Sequence, residues 1–582
     1  MKNYKKVYAA FILAGGLILH GCNGIFDDLA INPNQPSMGA YFASPSAVND
    51  AVMTMYGYMS TQRCLGASGS KTTIIRSDEA SSNSDYGKPG MFGADLNASY
   101  YTIEQPYTLM YTTASQASYI IETAPSVDFS GNEELRNAYM GEAYFWRAFA
   151  HYYLLINFRN ISPIRQMPRN GDDYVRPLEK PAAVWDFIQE DLAHAKELLP
   201  VKGYWDNKNA GRVTKASAAA LLGKAYLYRS GIEQYYGEDK TTFYSEAAKE
   251  FGDVIDGKYG TYDLTKNYAD NFDVAHENNE ESILEFQFLG DVDNAGFNPG
   301  LATSGLAFDS RGLMLPGAGV GYEGVVHNWL YNAFVNSVDK DGYTDIRMFS
   351  TMIFNDLDAS IHLRNDAGGN PVRLEGPGGY KWEELYPAKN GKEGFATVSN
   401  PLAHSFKAGI RKGIDCSMPT QTEADGTPKL VGVGAGVKEY VYNQPRAHGV
   451  NWRYIRYADV LMMYAESVVS GGTPASNMTP LQAVNKVRGR ANMSELPSVT
   501  MADIQNERIL EFALEGHRFY DLLRWGKLAS RFTELQESDP NFKKFISADD
   551  FKAFVTNKHE WLPIPINEVN SNPYITENNP GY

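Results

Sequence analysis

Three cysteines in 582 residues are too few for a disulfide framework, which shows as several closely spaced pairs in an exported chain. No CxxC and no His/Cys cluster occurs, so a thiolate zinc site is excluded. Positive charge is also scarce: 53 Lys and Arg stand against 69 Asp and Glu, a net charge of −16. Phosphate backbones are held by clustered positive charge, so nucleic acid is a poor partner. HExxH, GxSxG and the P-loop are all missing. The apolar run Val7–Leu19 falls short of the ~20 residues a membrane-spanning helix needs.

What that run does fit is a signal peptide. Lys2, Lys5 and Lys6 make a basic start, and the segment ends Leu19-His20-Gly21-Cys22. The ending resembles a bacterial lipobox, with His20 where a small residue is usual. Residues 1–21 are read as the lipoprotein signal peptide and Cys22 as the acylated first residue, which anchors a chain to a membrane without spanning it. Asp27-Asp28 resembles the acidic tags that send some lipoproteins to the outer face of the outer membrane. The other abundant feature is tyrosine, 38 against 28 Phe and 8 Trp. A ring with a polar tip suits wet binding faces better than a dry core.

Periodicity divides the rest. Residues 22–255 are helical in pattern: Tyr107–Ala124, Glu133–Phe158, Ala182–Leu199, Thr214–Tyr228 and Phe243–Ile255 carry apolar residues at three- and four-residue steps. Ala218, Ala219, Ala220, Gly223 and Ala225 let one helix lie close on the next, as in tetratricopeptide-like stacks. Residues 256–440 lose this periodicity to glycine and proline, keeping a helix at Val325–Val335 and a strand-like run at Ile283–Leu289. Helices return in 441–582 at Trp452–Val469, Pro480–Arg490 and Met501–Ser530. A long loop-rich insertion on a helical scaffold is where binding usually sits.

Three chemical readings were weighed against structural ones. Gly319–Gly324 fits GxGxxG, but Pro316 and Gly317 interrupt the strand a dinucleotide site requires. Asp291–Asn294 and Asp339–Asp345 carry oxygen ligands of the kind Ca²⁺ takes, without EF-hand spacing; no cofactor is expected, and a structural Ca²⁺ is the one ion left open. A glycoside hydrolase needs two carboxylates. Asp459 and Glu466 share a helix face, but seven residues at 1.5 Å put them about 10.5 Å apart, beyond the ~5–9.5 Å such enzymes use. The alternating ladder Arg518, Asp521, Arg524, with Glu507, Glu511 and Glu515 before it, reads as fixed partners for buried charge.

These same residues resemble a known family. Arg456-Tyr457-Ala458-Asp459-Val460-Leu461 with Ala465-Glu466 looks like the RYADVLL…AEA element of the SusD/RagB family. Glu507-Arg508, Glu511 and Glu515–Gly526 resemble its ER…E…EGxRxxDLxRWG element. Leu562–Pro565, Glu568 and Asn578–Tyr582 resemble LPIP…E…QNPGY, with Asn578 for Gln. Glu142–Ala148 matches ExxFLRA loosely. The resemblance implies a mostly α fold, with a tetratricopeptide-like scaffold and a large loop-rich insertion forming the ligand-binding face. It implies a non-catalytic surface lipoprotein of the outer membrane. Such a protein binds oligosaccharides, or in some members peptides, and caps a SusC-like TonB-dependent transporter.

Aromatic rings stack on the apolar faces of sugars, while Asp, Asn and Arg bond their hydroxyls. Two stretches combine these types. Asp78–Tyr101 holds Asp78, Asn83, Tyr86, Asn97 and Tyr100, and Gly-rich loops hold Phe297 and Tyr322, with Trp382 a third aromatic candidate. Trp329 lies at core spacing and is read as structural. Which glycan is bound, or whether a peptide takes its place, is not written in these residues.

Overall fold

The computed structural model describes residues 43–582 except 62, 83–91, 93–95, 289–323, 356–357, 366, 373–381, 383–387, 389, 393–405, 413–423, 425–429, 434–436, 441–449, 541 and 544–552. Cys22 and Cys416 therefore lie outside the described residues.

Helices α1 (Pro45–Met59), α2 (Tyr101–Thr123), α3 (Glu133–Phe158), α4 (Pro181–Leu198), α5 (Lys215–Tyr236) and α6 (Tyr244–Ile255) form the first part. From α2 onward each packs on the next, and α1 lies against α2 and α3. Their boundaries have local causes. Asn132 caps α3 by accepting the Leu135 N–H, and Glu133 and Glu134 complement its dipole. Thr214 and Ser217 close a capping box on α5. The small residues of α5 are all buried, as the sequence predicts. A side chain at Gly223 would meet the Phe251 ring at 2.7 Å, so glycine sets how closely α5 and α6 approach.

The chain then leaves the stack for some two hundred residues and returns to it. Helix α7 (Asn328–Val335) lies within this insertion, and α8 (Tyr457–Val469) packs directly on α6. The stack continues with α9 (Pro480–Arg490) and α10 (Met501–Glu511), followed by α11 (Arg518–Arg524), α12 (Leu528–Ser538) and α13 (Ile566–Ser571). The C-terminal segment closes the end of α3: Leu562 N–H donates to Asn157 O at 2.7 Å, and Asn579 Nδ2 donates to Phe158 O at 2.8 Å.

Two sheets organise the insertion. Strand β1 (Ala80–Ser82), β3 (Gly324–Val326), β5 (Ala408–Ile410) and β4 (Met352–Phe354) form an antiparallel sheet in the order β1-β3-β5-β4. Strand β2 (Ser282–Phe286) pairs antiparallel with β8 (Trp452–Arg456), so a ribbon ties the insertion's exit from the stack to its return. A hairpin of β6 (Leu430–Val433) and β7 (Val437–Tyr440) lies between.

Three helical expectations are corrected. Trp452–Arg456 is a strand, because Trp452 and Tyr454 pack on Phe286 across the ribbon and tertiary pairing outweighs helical periodicity. Gly324–Val326 is likewise a strand, and the helix begins at Asn328. Met501–Ser530 is broken between α10 and α11, where Leu514 and Gly516 take positive φ (62° and 86°). A side chain at Gly516 would come within 3.0 Å of Thr73 Oγ1, so the turn needs glycine for space as well as conformation.

Candidate functional site

The charged motifs form buried ion-pair clusters, one of them between insertion and stack. Arg456, at 0% exposure, donates to Glu515 at 2.9 Å and to Glu281 and Glu511 at 2.6 Å each. Arg347, from the insertion, pairs with Asp345 at 2.7 Å and Glu511 at 3.0 Å, and also reaches Glu507. Lys412, also from the insertion, holds Glu515 at 2.9 Å. Deeper in, Arg508 bridges Asp459 and Asp521 at 2.8 Å each, while Lys224 meets Asp459 at 3.2 Å. Burial alone would raise Asp459, but Lys224 and Arg508 hold it well below the usual carboxylate range. Asp459 is thus committed to cations and Glu466 meets Arg524 through Oε1, as the structural reading of the ladder expects.

Asp78 belongs to the same kind of arrangement, which corrects its reading as a ligand residue. It is fully buried, with Oδ1 accepting from Arg518 at 2.9 Å and Oδ2 from Arg531 at 2.7 Å. Its backbone oxygen accepts from His327 Nδ1 at 2.7 Å and from the Trp329 indole. The Arg531 guanidinium lies 4.3 Å from the Trp329 ring centre. Arg531 stands 453 residues from Asp78 in the chain, and no local signal could have paired them.

The register of β1 places the other candidates. Ala80 pairs with Val326 and Ser82 with Gly324. Asp78 and Trp329 therefore lie beyond one end of this pair, while at the other end Ser82 and Gly324 stand side by side. Ser82 is where the stretch carrying Asn83 and Tyr86 departs, and Gly324 is where the stretch carrying Phe297 and Tyr322 arrives. These four residues lie outside the described residues. Ile410 and Met352 pair at that same end of the sheet.

Asn97 is exposed, its Oδ1 accepting the Ser99 N–H at 2.9 Å, and Tyr100 is half-buried at the start of α2. The rings of Tyr100 and Tyr101 are 5.3 Å apart, and Tyr101 is exposed. This turn is tied to α13 through Ile566 N–H and Ala98 O at 2.8 Å. Trp382 is in the core, 7% exposed, which corrects its reading as a ring presented to ligand.

The acidic turn at Asp339–Asp345 is satisfied by protein donors. Asp339 Oδ1 accepts the Asp341 and Tyr343 N–H groups at 2.8 and 3.1 Å and its other oxygen meets Arg364, while Asp345 pairs with Arg347. Asp291–Asn294 lies outside the described residues. Among the described residues no group of three His, Cys, Asp or Glu is set to hold a metal. Of the GxGxxG run only Gly324 is described, as the first residue of β3.

The described residues thus form a helical stack that carries an inserted loop region tethered by short strands. Comparison with known proteins gives the family. A model described as the SusD family matches residues 422–582, and one described as starch-binding associating with outer membrane matches 31–227. A SusD-like protein of Bacteroides ovatus is 24% identical over 533 residues, 90% of this chain and 83% of the relative. A SusD superfamily protein of Bacteroides vulgatus superposes with a TM-score of 0.67 at 22% identity, covering 93% of this chain and all of that one. Surface glycan-binding protein A from Bacteroides thetaiotaomicron, in complex with laminarihexaose, gives a TM-score of 0.65 at 18% identity, covering 92% and 99%. The two family models together match well over half of the chain, which belongs to the SusD/RagB family and has its mostly α fold.

Proposed function

We propose that the chain is a cell-surface lipoprotein that captures oligosaccharides and passes them to a SusC-like TonB-dependent outer-membrane transporter. The observation that carries this reading is the pairing of Ser82 with Gly324. It sets side by side, at one end of one sheet, the chain positions from which the stretch holding Asn83 and Tyr86 departs and to which the stretch holding Phe297 and Tyr322 returns. Tyr322 is two residues from Gly324 and Tyr86 four from Ser82, short tethers at about 3.3–3.6 Å per extended residue. The relative held in complex with laminarihexaose supports a glycan as the ligand class. The holding of both Asp459 oxygens by Lys224 and Arg508 supports binding without hydrolysis.

Calorimetric titration against soluble glycans, with laminarihexaose among them, tests this. Tyr86→Ala, Phe297→Ala and Tyr322→Ala should each weaken binding by about 1–2 kcal/mol, from the apolar contact a partly covered ring loses. Unchanged affinity in all three folded variants overturns the assignment, and saturable binding of peptides alone moves the chain to the peptide-binding members. The anchor is tested separately: Cys22→Ala should free the protein from membranes, since each buried acyl CH₂ contributes ~0.8 kcal/mol. Wild-type protein found free of lipid refutes it.

A further inference from the structure

We infer that the helical stack carries a second ligand site, for a neutral sugar of one or two rings, apart from the loop-rich insertion. A cavity of about 390 Å³ opens where the C-terminal end of α5, the start of α6, the end of α8 and the start of α10 meet the turn between α11 and α12. None of its lining residues comes from the insertion. The volume lies at the small end of the range for ligand pockets, about 300–1,000 Å³, which suits a mono- or disaccharide and not a chain.

Its walls divide as a sugar requires. Tyr235, Tyr244 and Trp525 supply rings, and Gln234 and Gln505 supply amides. Tyr235 is 55% exposed, yet its ring is held in place: a side chain at Gly526 would fall 2.4 Å from it, and Gly526 has φ +63°. One ring face is backed by the glycine turn, which leaves the other for a ligand. Lys527 Nζ donates to Gln505 Oε1 at 2.6 Å and steadies that amide.

The second, independent observation is Glu466. It is 2% exposed and lines the cavity. Its Oε1 accepts from Trp525 Nε1 at 2.9 Å and meets Arg524, but its Oε2 is buried with no hydrogen-bond partner. That oxygen is closed to solvent, so it acts on the cavity through its charge and not by direct contact. Arg524 and Lys527 disfavour a cationic donor, and the free oxygen disfavours an anion. A hydroxyl-bearing neutral ring meets both conditions.

Ligand-observed saturation-transfer NMR on the full chain in mild detergent, with methyl β-D-glucoside and cellobiose as probes, tests this. Tyr235→Ala and Gln505→Ala should each weaken binding roughly fivefold to tenfold, with folding checked by circular dichroism. Tyr574→Ala, at an exposed ring outside both sites, should leave this binding untouched. No saturable binding of either probe up to about 10 mM, no effect of Tyr235→Ala, or an equal loss on Tyr574→Ala each overturns the site. The inference stands apart from the proposed glycan capture by the insertion: failure of the three ring variants there, with Tyr235→Ala still effective, would remove that reading and keep this one.

Discussion

The stack and the insertion hold themselves together in different ways. In the stack, helices of 11 to 26 residues bury apolar stripes against their neighbours in sequence. In the insertion, the four-stranded sheet is made of three-residue strands, too short to carry a stripe of the length a helix does. To the apolar core it shares with the stack the insertion adds ion pairs: its Arg347 and Lys412 reach Glu507, Glu511 and Glu515 of the stack. A region bolted at a few buried points can change its outer loops without disturbing its support.

The largest effect should come from removing a bolt. Arg347→Ala leaves Asp345 buried without its cation and takes one from Glu507 and Glu511, which keep Arg488 and Arg456, and should cost about 3–5 kcal/mol in denaturant unfolding. Proteolysis should then cut first within 256–450. A loss below about 1 kcal/mol, within the range of exposed pairs, would mean that the network does not hold the two regions together. Asp78→Ala comes next, at ~3 kcal/mol, because Arg518 and Arg531 lose their shared acceptor. Glycan affinity of the folded fraction should not change, and a loss of affinity without loss of stability would return Asp78 to the ligand face.

The smallest effect is a slope. Burial pushes Glu79 up from the ordinary 4.5 to about 8, assisted by Asp78 and opposed by the Leu514 N–H, Arg518 and Lys412. The folded state therefore binds more protons than the unfolded chain between those values, and this residue's contribution falls as pH rises through that window. Asp459 works the other way: held low, it stabilises above the ordinary carboxylate range and loses that contribution as pH falls through it. Replacing Glu79 by Gln should make stability less steep by up to about 1.36 kcal/mol per pH unit between pH 5 and 8. Parallel curves for the two proteins would show that Glu79 is charged in the fold.

Much of the stack was legible because its instructions are local. Glu133–Phe158 and Pro480–Arg490 match the observed helices end to end, since capping residues and a 3.6-residue stripe lie within a few positions of what they govern. The ladder of Glu507 to Arg524 announced buried pairing for the same reason: a charge on an apolar stripe needs a partner. Which partner was not legible. Arg347 is 160 residues from Glu507 and Asp78 is 440 from Arg518, and one chain with no alternation between them carries no record of the match.

The candidate site shows the same division. Sequence alone set out two stretches whose residue types suit a sugar, and it grouped Asp78 and Trp382 with them by composition. Tertiary structure drew Asp78, just before β1, into buried ion pairs and Trp382 into the core. It also brought Ser82 beside Gly324 across more than two hundred residues by sheet pairing. Strand pairing is a contact between distant backbones, set by what both strands pack against. Residue type and period fix what a segment can become, and only the folded chain decides what it faces.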